Sequence, residues 1–206
     1  MRYTHIAFDI DGTLLNSRYA CLRSLQDALE EAKGIRPPES ELLFTYALPS
    51  RVALEALQFS DLSVAQDLWD KHYAKYEDTV LPFPGIPELV AELSRRGCTL
   101  GIISSQSRRD YEAGFAHFDI ARHFSTVILS DNVSEPKPSP QPLFRYMELA
   151  GCSPKDLLYI GDQNADLLCA RGAEVDFAFA GWNGPEGPEG TLRLKSPEEL
   201  LPYLEM

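Results

Sequence analysis

A short apolar run that ends in two aspartates constrains this chain most. The apolar residues at positions 6–8 are followed by Asp9 and Asp11, and Gly12 comes next. The run predicts a buried strand over about residues 4–10, and the glycine lets the backbone turn after it. Two carboxylates this close repel each other and need a cation or a shared proton. An acidic turn without further function is the alternative, because Asp-Gly is common in turns.

Strand and helix patterns alternate after position 85. Apolar runs predict strands at 99–103, 125–129, 157–160 and 175–180, and helical patterns over 86–95, 108–117, 139–150 and 166–171 separate them. Residues 184–190 read as a surface loop, and Ser196 with Pro197 predicts a last helix. This alternation predicts an α/β fold, with a parallel sheet covered by helices on both faces.

The stretch from 16 to 80 shows only helical spacings. Leu22, Leu25 and Leu29 mark one amphipathic helix, and Ser50 and either Ser60 or Ser63 are predicted to cap two later ones. The proline- and glycine-containing segment 81–85 then leads back to the strands. We therefore expect a core domain of residues 1–15 and 81–206, with a small all-helical domain of residues 16–80 inserted after strand one.

Polar residues follow the predicted strands. Because the carboxyl ends of parallel strands lie at one edge of a sheet, where ligands bind, we expect these residues to converge there. They are Asp9 and Asp11 after the first strand, Ser104 after the second, Lys137 at the start of a helix after the third, and Asp162 and Asp166 after the fourth.

Four motifs in this order resemble those of the haloacid dehalogenase (HAD) superfamily of hydrolases. They are Asp9-x-Asp11-Gly12-Thr13, Ser104, Lys137-Pro138 and Gly161-Asp162-x-x-x-Asp166. The helical insert is similar to the small type C1 cap of the phosphoglycolate-phosphatase-like branch. The resemblance implies a Rossmann-like three-layer core with strand order 5-4-1-2-3, and magnesium-dependent phosphoryl transfer.

The resemblance also implies a metal site. Asp9 would be the nucleophile, forming an aspartyl-phosphate, and a Mg²⁺ ligand together with the main-chain carbonyl of Asp11 and the carboxylate of Asp162. Asp166 would hold a metal-bound water or Lys137. Stabilisation of a helix N-terminus is the alternative, and the two roles are compatible. Charge supports a metal, because four aspartates against one lysine leave a surplus of three negative charges, and Mg²⁺ prefers oxygen ligands.

The remaining implied roles concern the phosphoryl group and the leaving group. Thr13, Ser104 and Lys137 would bind phosphoryl oxygens, although Ser104 could instead cap a strand end. The Asp11 carboxyl would protonate the leaving oxygen and then activate water. Arg51, in the inserted domain, could bind a substrate carboxylate or second phosphate; a solvated helix arginine is the alternative.

We therefore predict a cytoplasmic Mg²⁺-dependent phosphatase for a small phosphorylated metabolite, with phosphoglycolate as the first candidate. A β-phosphoglucomutase-like phosphotransferase, a pyrophosphatase and a non-catalytic binding protein are the alternatives. The net charge of −12 argues against a nucleic-acid or anionic-membrane partner. No apolar run predicts a membrane span or secretory signal, and four scattered cysteines predict reduced, buried thiols. We expect a monomer or homodimer.

Overall fold

The computed structural model describes residues 2–184, 187 and 191–205. Its strands are β1 (His5–Phe8), β2 (Leu15–Asn16), β3 (Leu81–Pro82), β4 (Thr99–Ile103), β5 (Phe124–Ile128), β6 (Leu157–Gly161), β7 (Asp176–Ala180) and β8 (Leu192–Leu194). Its α-helices are α1 (Arg18–Lys33), α2 (Glu39–Leu42), α3 (Ser50–Ala56), α4 (Leu62–Tyr73), α5 (Ile86–Arg95), α6 (Arg108–Gly114), α7 (Gln141–Ala150), α8 (Asn164–Gly172) and α9 (Leu200–Glu205).

Six parallel strands form the main sheet in the order β5-β4-β1-β6-β7-β8. This confirms the predicted order of five strands and adds a sixth, β8, beyond the fifth. No pattern in the sequence predicted β8, because a strand of three residues is too short to show a reliable hydrophobic pattern. β1 lies in the middle of the sheet, so the residues that follow it have a strand end on either side.

Apolar packing fixes the sheet and its helices. The side chains of β1 from Ile6 to Phe8 are fully buried, as expected for a strand covered on both faces. Tyr146 of α7 packs directly on Gly101 of β4, where an added Cβ would lie 2.0 Å from the tyrosine ring. Only glycine therefore allows this helix to approach the sheet so closely.

The chain divides into two compact units. One unit runs to Leu15 and resumes at Pro82, and the other is Asn16–Leu81. Where the chain passes between the units, β2 and β3 form a separate two-stranded sheet that the sequence analysis did not predict. Strands of two residues leave no pattern in a sequence.

The second unit, residues 16–81, is helical apart from the ends of β2 and β3. Leucines of α1 pack with apolar residues of α3 and α4 in one buried cluster, and Trp69 donates to Ser24 Oγ at 2.8 Å. The predicted serine caps are wrong. Asp61 caps α4, since its Oδ1 accepts the backbone N–H groups of Ser63 and Val64. Ser50 is the first residue of α3, and the N-cap position is Pro49.

Several predicted boundaries shift by a few residues. α7 starts at Gln141, so Lys137 lies in the turn before the helix and not at its start. A 3₁₀ turn over Pro197–Glu199 precedes α9, with no side-chain cap from Ser196. The predicted loop 184–190 lies mostly outside the described residues.

Cysteine burial and membrane propensity were also predicted from the sequence. Cys98 and Cys169 are buried as expected, whereas Cys21 and Cys152 are partly exposed. Among the described residues, no helix combines the length and the apolar character that crossing a bilayer requires.

Candidate active site

Asp9 and Ser104 each follow a strand directly, and a backbone hydrogen bond to the neighbouring strand holds each of them in place. The N–H of Asp9 donates to the Ile160 carbonyl at 2.9 Å, and the N–H of Ser104 donates to the Ile128 carbonyl at 3.0 Å. Asp9 and Ser104 are both buried there. Gly12, at φ +83°, then turns the chain away from the sheet.

Lys137 is the cation of this sheet edge. Its Nζ donates to Asp9 Oδ1 at 2.8 Å and to Asp166 Oδ1 at 2.6 Å, and the Tyr159 hydroxyl lies 3.2 Å away. Burial by itself would lower the pKa of Lys137, but the carboxylates of Asp166 and Asp9 raise it well above its ordinary value. These two carboxylates therefore favour the charged ammonium form of Lys137.

Asp162 follows β6 and is held by two side-chain amides. Its Oδ2 accepts from Gln163 Nε2 at 2.7 Å and from Asn183 Nδ2 at 2.8 Å, while its Oδ1 lies 3.4 Å from the Thr13 hydroxyl. Burial and the nearby Asp166 carboxylate raise the pKa of Asp162 to about 7, although both amide donors act in the opposite direction.

Three buried carboxylates lie together at this edge. Asp9, Asp162 and Asp166 each place an oxygen within 4.8 Å of the other two. Burial and the neighbouring carboxylates of Asp166 and Asp162 raise the pKa of Asp9 well above its ordinary value, despite the opposing effect of Lys137. Against one lysine these groups leave two excess negative charges, so an oxygen-liganded divalent cation such as Mg²⁺ fits the donor set.

Asp166 has two structural partners. Besides pairing with Lys137, it accepts the backbone N–H of Gln163 at 3.0 Å through Oδ2, which caps the N-terminus of α8. The contact with Lys137 that the resemblance implied is present, and a metal-bound water beside Asp166 stays a prediction. The expected stabilisation of a helix N-terminus is present as well.

Asp11 lies outside the cluster of three carboxylates. It is half-buried, and its Oδ2 accepts from Gln106 Nε2 at 2.7 Å. Ser104 Oγ accepts the backbone N–H of Gln106 at 3.2 Å, so Ser104 also acts as the strand-end cap that the sequence left open. Gln106 therefore connects the loop after β4 to the loop after β1.

A family model described as haloacid dehalogenase-like hydrolase matches residues 6–180, which include the ends of β1, β4, β5 and β6. The chain belongs to this hydrolase family. A phosphoglycolate phosphatase of Photorhabdus laumondii is 32% identical over 82% of this chain and 76% of the relative. Pyrophosphatase PpaX of Oceanobacillus iheyensis is 27% identical over 86% of this chain and 83% of its own.

Solved structures agree with this membership. A Lactobacillus plantarum protein provisionally named phosphoglycolate phosphatase superposes with a TM-score of 0.86 at 28% identity, covering 98% of this chain and 99% of its own. CbbY of Rhodobacter sphaeroides, crystallised with phosphate, shares the fold at a TM-score of 0.81 and 22% identity, over 99% of this chain and 100% of its own. The phosphatase names among these relatives support a phosphatase within the haloacid dehalogenase-like hydrolases.

Arg51 of this hydrolase lies in the helical unit, on α3. Its side chain is 79% exposed, and its Nε donates to Glu55 Oε1 one helical turn away at 3.0 Å. The structure therefore shows the solvated helix arginine that the sequence analysis named as the alternative. Substrate binding by Arg51 stays a proposal.

Other side chains to which the sequence did not point also donate to the carboxylates of the predicted site. They are Gln106, Tyr159, Gln163 and Asn183. Tyr159 looked like one more apolar strand residue, yet its hydroxyl lies 2.8 Å from Asp166 Oδ1 and 3.1 Å from the Ile103 carbonyl. The available signal was a tyrosine in a fully buried strand, because a buried hydroxyl requires a hydrogen-bond partner. No local pattern pointed to Asn183.

Proposed function

We propose that this hydrolase is a Mg²⁺-dependent phosphatase for small phosphorylated metabolites, acting through an aspartyl-phosphate on Asp9. One observation carries the proposal: Lys137 Nζ lies 2.8 Å from Asp9, inside a buried group of three carboxylates. A carboxylate can attack a dianionic phosphate ester only where cations offset the repulsion between them. A lysine beside a cation-binding carboxylate group supplies that condition.

Asp9, Asp162 and the main-chain carbonyl of Asp11 would hold Mg²⁺. When bound, the ion neutralises charge on the phosphoryl oxygens. Lys137 adds a fixed positive charge, and the hydroxyl groups of Thr13 and Ser104 would donate to the same oxygens. Lys137 is tied to Asp9 through Oδ1, so Oδ2 of Asp9 is the oxygen we assign as nucleophile.

The reaction then has two steps. Oδ2 of Asp9 bonds to phosphorus, the bond to the leaving oxygen breaks, and the Asp11 carboxyl gives that oxygen its proton. Water next attacks phosphorus and passes a proton to the Asp11 carboxylate, while the bond between phosphorus and Asp9 breaks and phosphate leaves. General acid–base catalysis of this kind contributes about 10²–10⁴-fold in rate.

Phosphoglycolate is the first substrate we propose, since a relative at 32% identity carries that name. Pyrophosphate is the second, since several relatives are named pyrophosphatase PpaX. We propose that the helical unit acts as a cap with hinges at 15–18 and 81–85, and that Arg51 binds the substrate carboxylate.

The test is phosphate release from a panel of phosphorylated metabolites and pyrophosphate, with Mg²⁺ and then with a chelator. We expect turnover only with Mg²⁺, and its loss in Asp9→Asn. Asp119→Asn, an exposed aspartate outside the site, is the matched control and should keep full activity. Turnover that survives Asp9→Asn excludes this mechanism. Interconversion of sugar phosphates without net phosphate release favours the mutase instead.

A further inference from the structure

One oxygen of Asp162 is already saturated with hydrogen bonds. Oδ2 accepts from both Gln163 and Asn183, at 2.7 and 2.8 Å, and a carboxylate oxygen has two lone pairs to offer. Among the described residues, the hydrogen bond found for Oδ1 is a long one of 3.4 Å from the Thr13 hydroxyl. Asp162 can therefore offer a cation one oxygen and not two.

The turn that supplies Asn183 is fixed to the site at a second point. Gly181–Asn183 is a 3₁₀ turn directly after β7, and Trp182 Nε1 donates to the Thr13 carbonyl at 3.0 Å. Gly12 lies between the two contacts, where an added Cβ would be 2.2 Å from Asp162 Oδ2 and 2.6 Å from Asn183 Nδ2. This close packing leaves the Asp162 carboxylate no room to turn toward Gly12.

We propose that Asn183 is a positioning residue that, with Gln163, holds Asp162 as a one-oxygen ligand and so makes the site select Mg²⁺ over Ca²⁺. Ca²⁺ takes six to eight oxygens and often both oxygens of a carboxylate, whereas Mg²⁺ requires a compact octahedron. Because Oδ2 of Asp162 accepts from two amides, this carboxylate cannot bind a cation through both of its oxygens. This inference rests on the proposed Mg²⁺ site, and nothing in it depends on the substrate.

Two effects of the amide donors can be separated. If they mainly orient Asp162, losing one weakens Mg²⁺ binding and weakens Ca²⁺ binding less, since a freed carboxylate can use both oxygens. If they mainly withdraw charge from the carboxylate, losing one strengthens the binding of either cation. Only orientation predicts a smaller ratio between the two dissociation constants.

The experiment titrates metal-stripped full-length protein with MgCl₂ and with CaCl₂ by calorimetry, for wild type, Asn183→Ala and Asn164→Ala. Asn164 is exposed at the start of α8 and is the matched control. We expect Asn183→Ala to raise the Mg²⁺ dissociation constant about tenfold, the usual effect of losing a partner of a metal ligand. The ratio of the Ca²⁺ dissociation constant to the Mg²⁺ dissociation constant should fall. Asn164→Ala should give the wild-type value of both constants.

Other outcomes overturn the proposal. An unchanged Mg²⁺ constant in Asn183→Ala, or tighter binding of both cations, removes the positioning role while leaving the Mg²⁺ site intact. A wild-type protein that binds no Mg²⁺ removes the proposed function and this inference together. If Asn183→Ala does not fold, Gln163→Ala deletes the other amide and must lower the same ratio.

Discussion

Lys137 illustrates how one buried charge holds a site together. Its ammonium group is nearly inaccessible to solvent and lies within 2.8 Å of two carboxylates that are equally buried. Burying such charges costs several kcal/mol each, and their mutual attraction offsets this cost only while every partner is present. The same group that would bind a phosphoryl oxygen is therefore also a condition for stable folding of this edge.

Replacing Lys137 with methionine tests this dependence. Lys137→Met leaves Asp9 and Asp166 without their shared partner, so we expect the free energy of unfolding at pH 7 to fall by about 3–5 kcal/mol. Urea denaturation measures it, with the exposed Lys155→Met as control. A loss below about 1 kcal/mol, the range of exposed ion pairs, would contradict the assignment.

Gln106 is the residue we expect to orient Asp11 for proton transfer. Its Nε2 donates to Asp11 Oδ2 at 2.7 Å, while its buried Oε1 has no hydrogen-bond partner within the described part of the chain. Gln106→Leu removes the donor with little change in volume. We expect kcat to fall, but by less than the roughly 10²–10⁴-fold that acid–base catalysis contributes in total.

The leaving group provides the control for Gln106. p-Nitrophenol leaves without needing a proton, so kcat for p-nitrophenyl phosphate should fall less in Gln106→Leu than kcat for phosphoglycolate, as measured by steady-state kinetics on both substrates. An equal fall on both substrates would mean that Gln106 supports the loop and not the proton transfer.

At the scale of elements, the site is assembled by the ends of β1, β4 and β6 and by the turn after β7. Phe8 is level with Ile102 on one side and with Ile160 on the other, so Asp9, Ser104 and Asp162 emerge from neighbouring strands at nearly the same height. Parallel pairing alone produces this convergence. The start of α8 adds Asp166, which the helix N-terminus favours.

The prediction for the helical unit concerns Arg51 of helix α3. Arg51→Ala should raise KM for phosphoglycolate, which has a carboxylate, and leave KM for p-nitrophenyl phosphate unchanged. Arg95→Ala is the matched control, because Arg95 is also an exposed helix arginine paired with a glutamate. Thermal melts should match wild type for both variants, since exposed pairs contribute little. Equal KM values for wild type and Arg51→Ala would exclude the proposed contact.

At the scale of the whole molecule, the buried acids connect folding to pH. The pKa of Asp162 is about 7 in the folded chain and near 3.8 in the unfolded one, and the pKa of Asp9 is raised as well. Between these values the folded state holds protons that the unfolded state has lost. The free energy of unfolding must therefore decrease as the pH rises through this window.

We expect metal-free protein to lose stability between about pH 5 and pH 7, in the direction set by this linkage. Urea titrations at several pH values measure the loss. Added Mg²⁺ should oppose it, because a ligand of the folded state stabilises that state. Asp162→Asn should flatten the profile, whereas Asp119→Asn should not. A stability that increases with pH in the metal-free wild type would contradict the raised pKa values.

Short-range patterns in the sequence predicted the four motifs and most of the fold. Apolar runs gave the five main strands, because burial on both faces of a sheet requires them, and the order of motifs along the chain indicated the family that the comparisons confirm. The sequence did not predict β8 or the capping of α4 by Asp61, because each feature depends on only a few residues.

Only the tertiary structure decided which side chains meet. Lys137 and Asp9 are 128 positions apart, and Asn183 and Asp162 are 21 apart, so no periodicity connects them. Their contacts follow from sheet register and from the turn after β7, which bring distant strand ends to one level. Hydrophobic patterning is local and can be read along the chain, whereas the hydrogen bonds of a buried site depend on where the whole sheet places each donor.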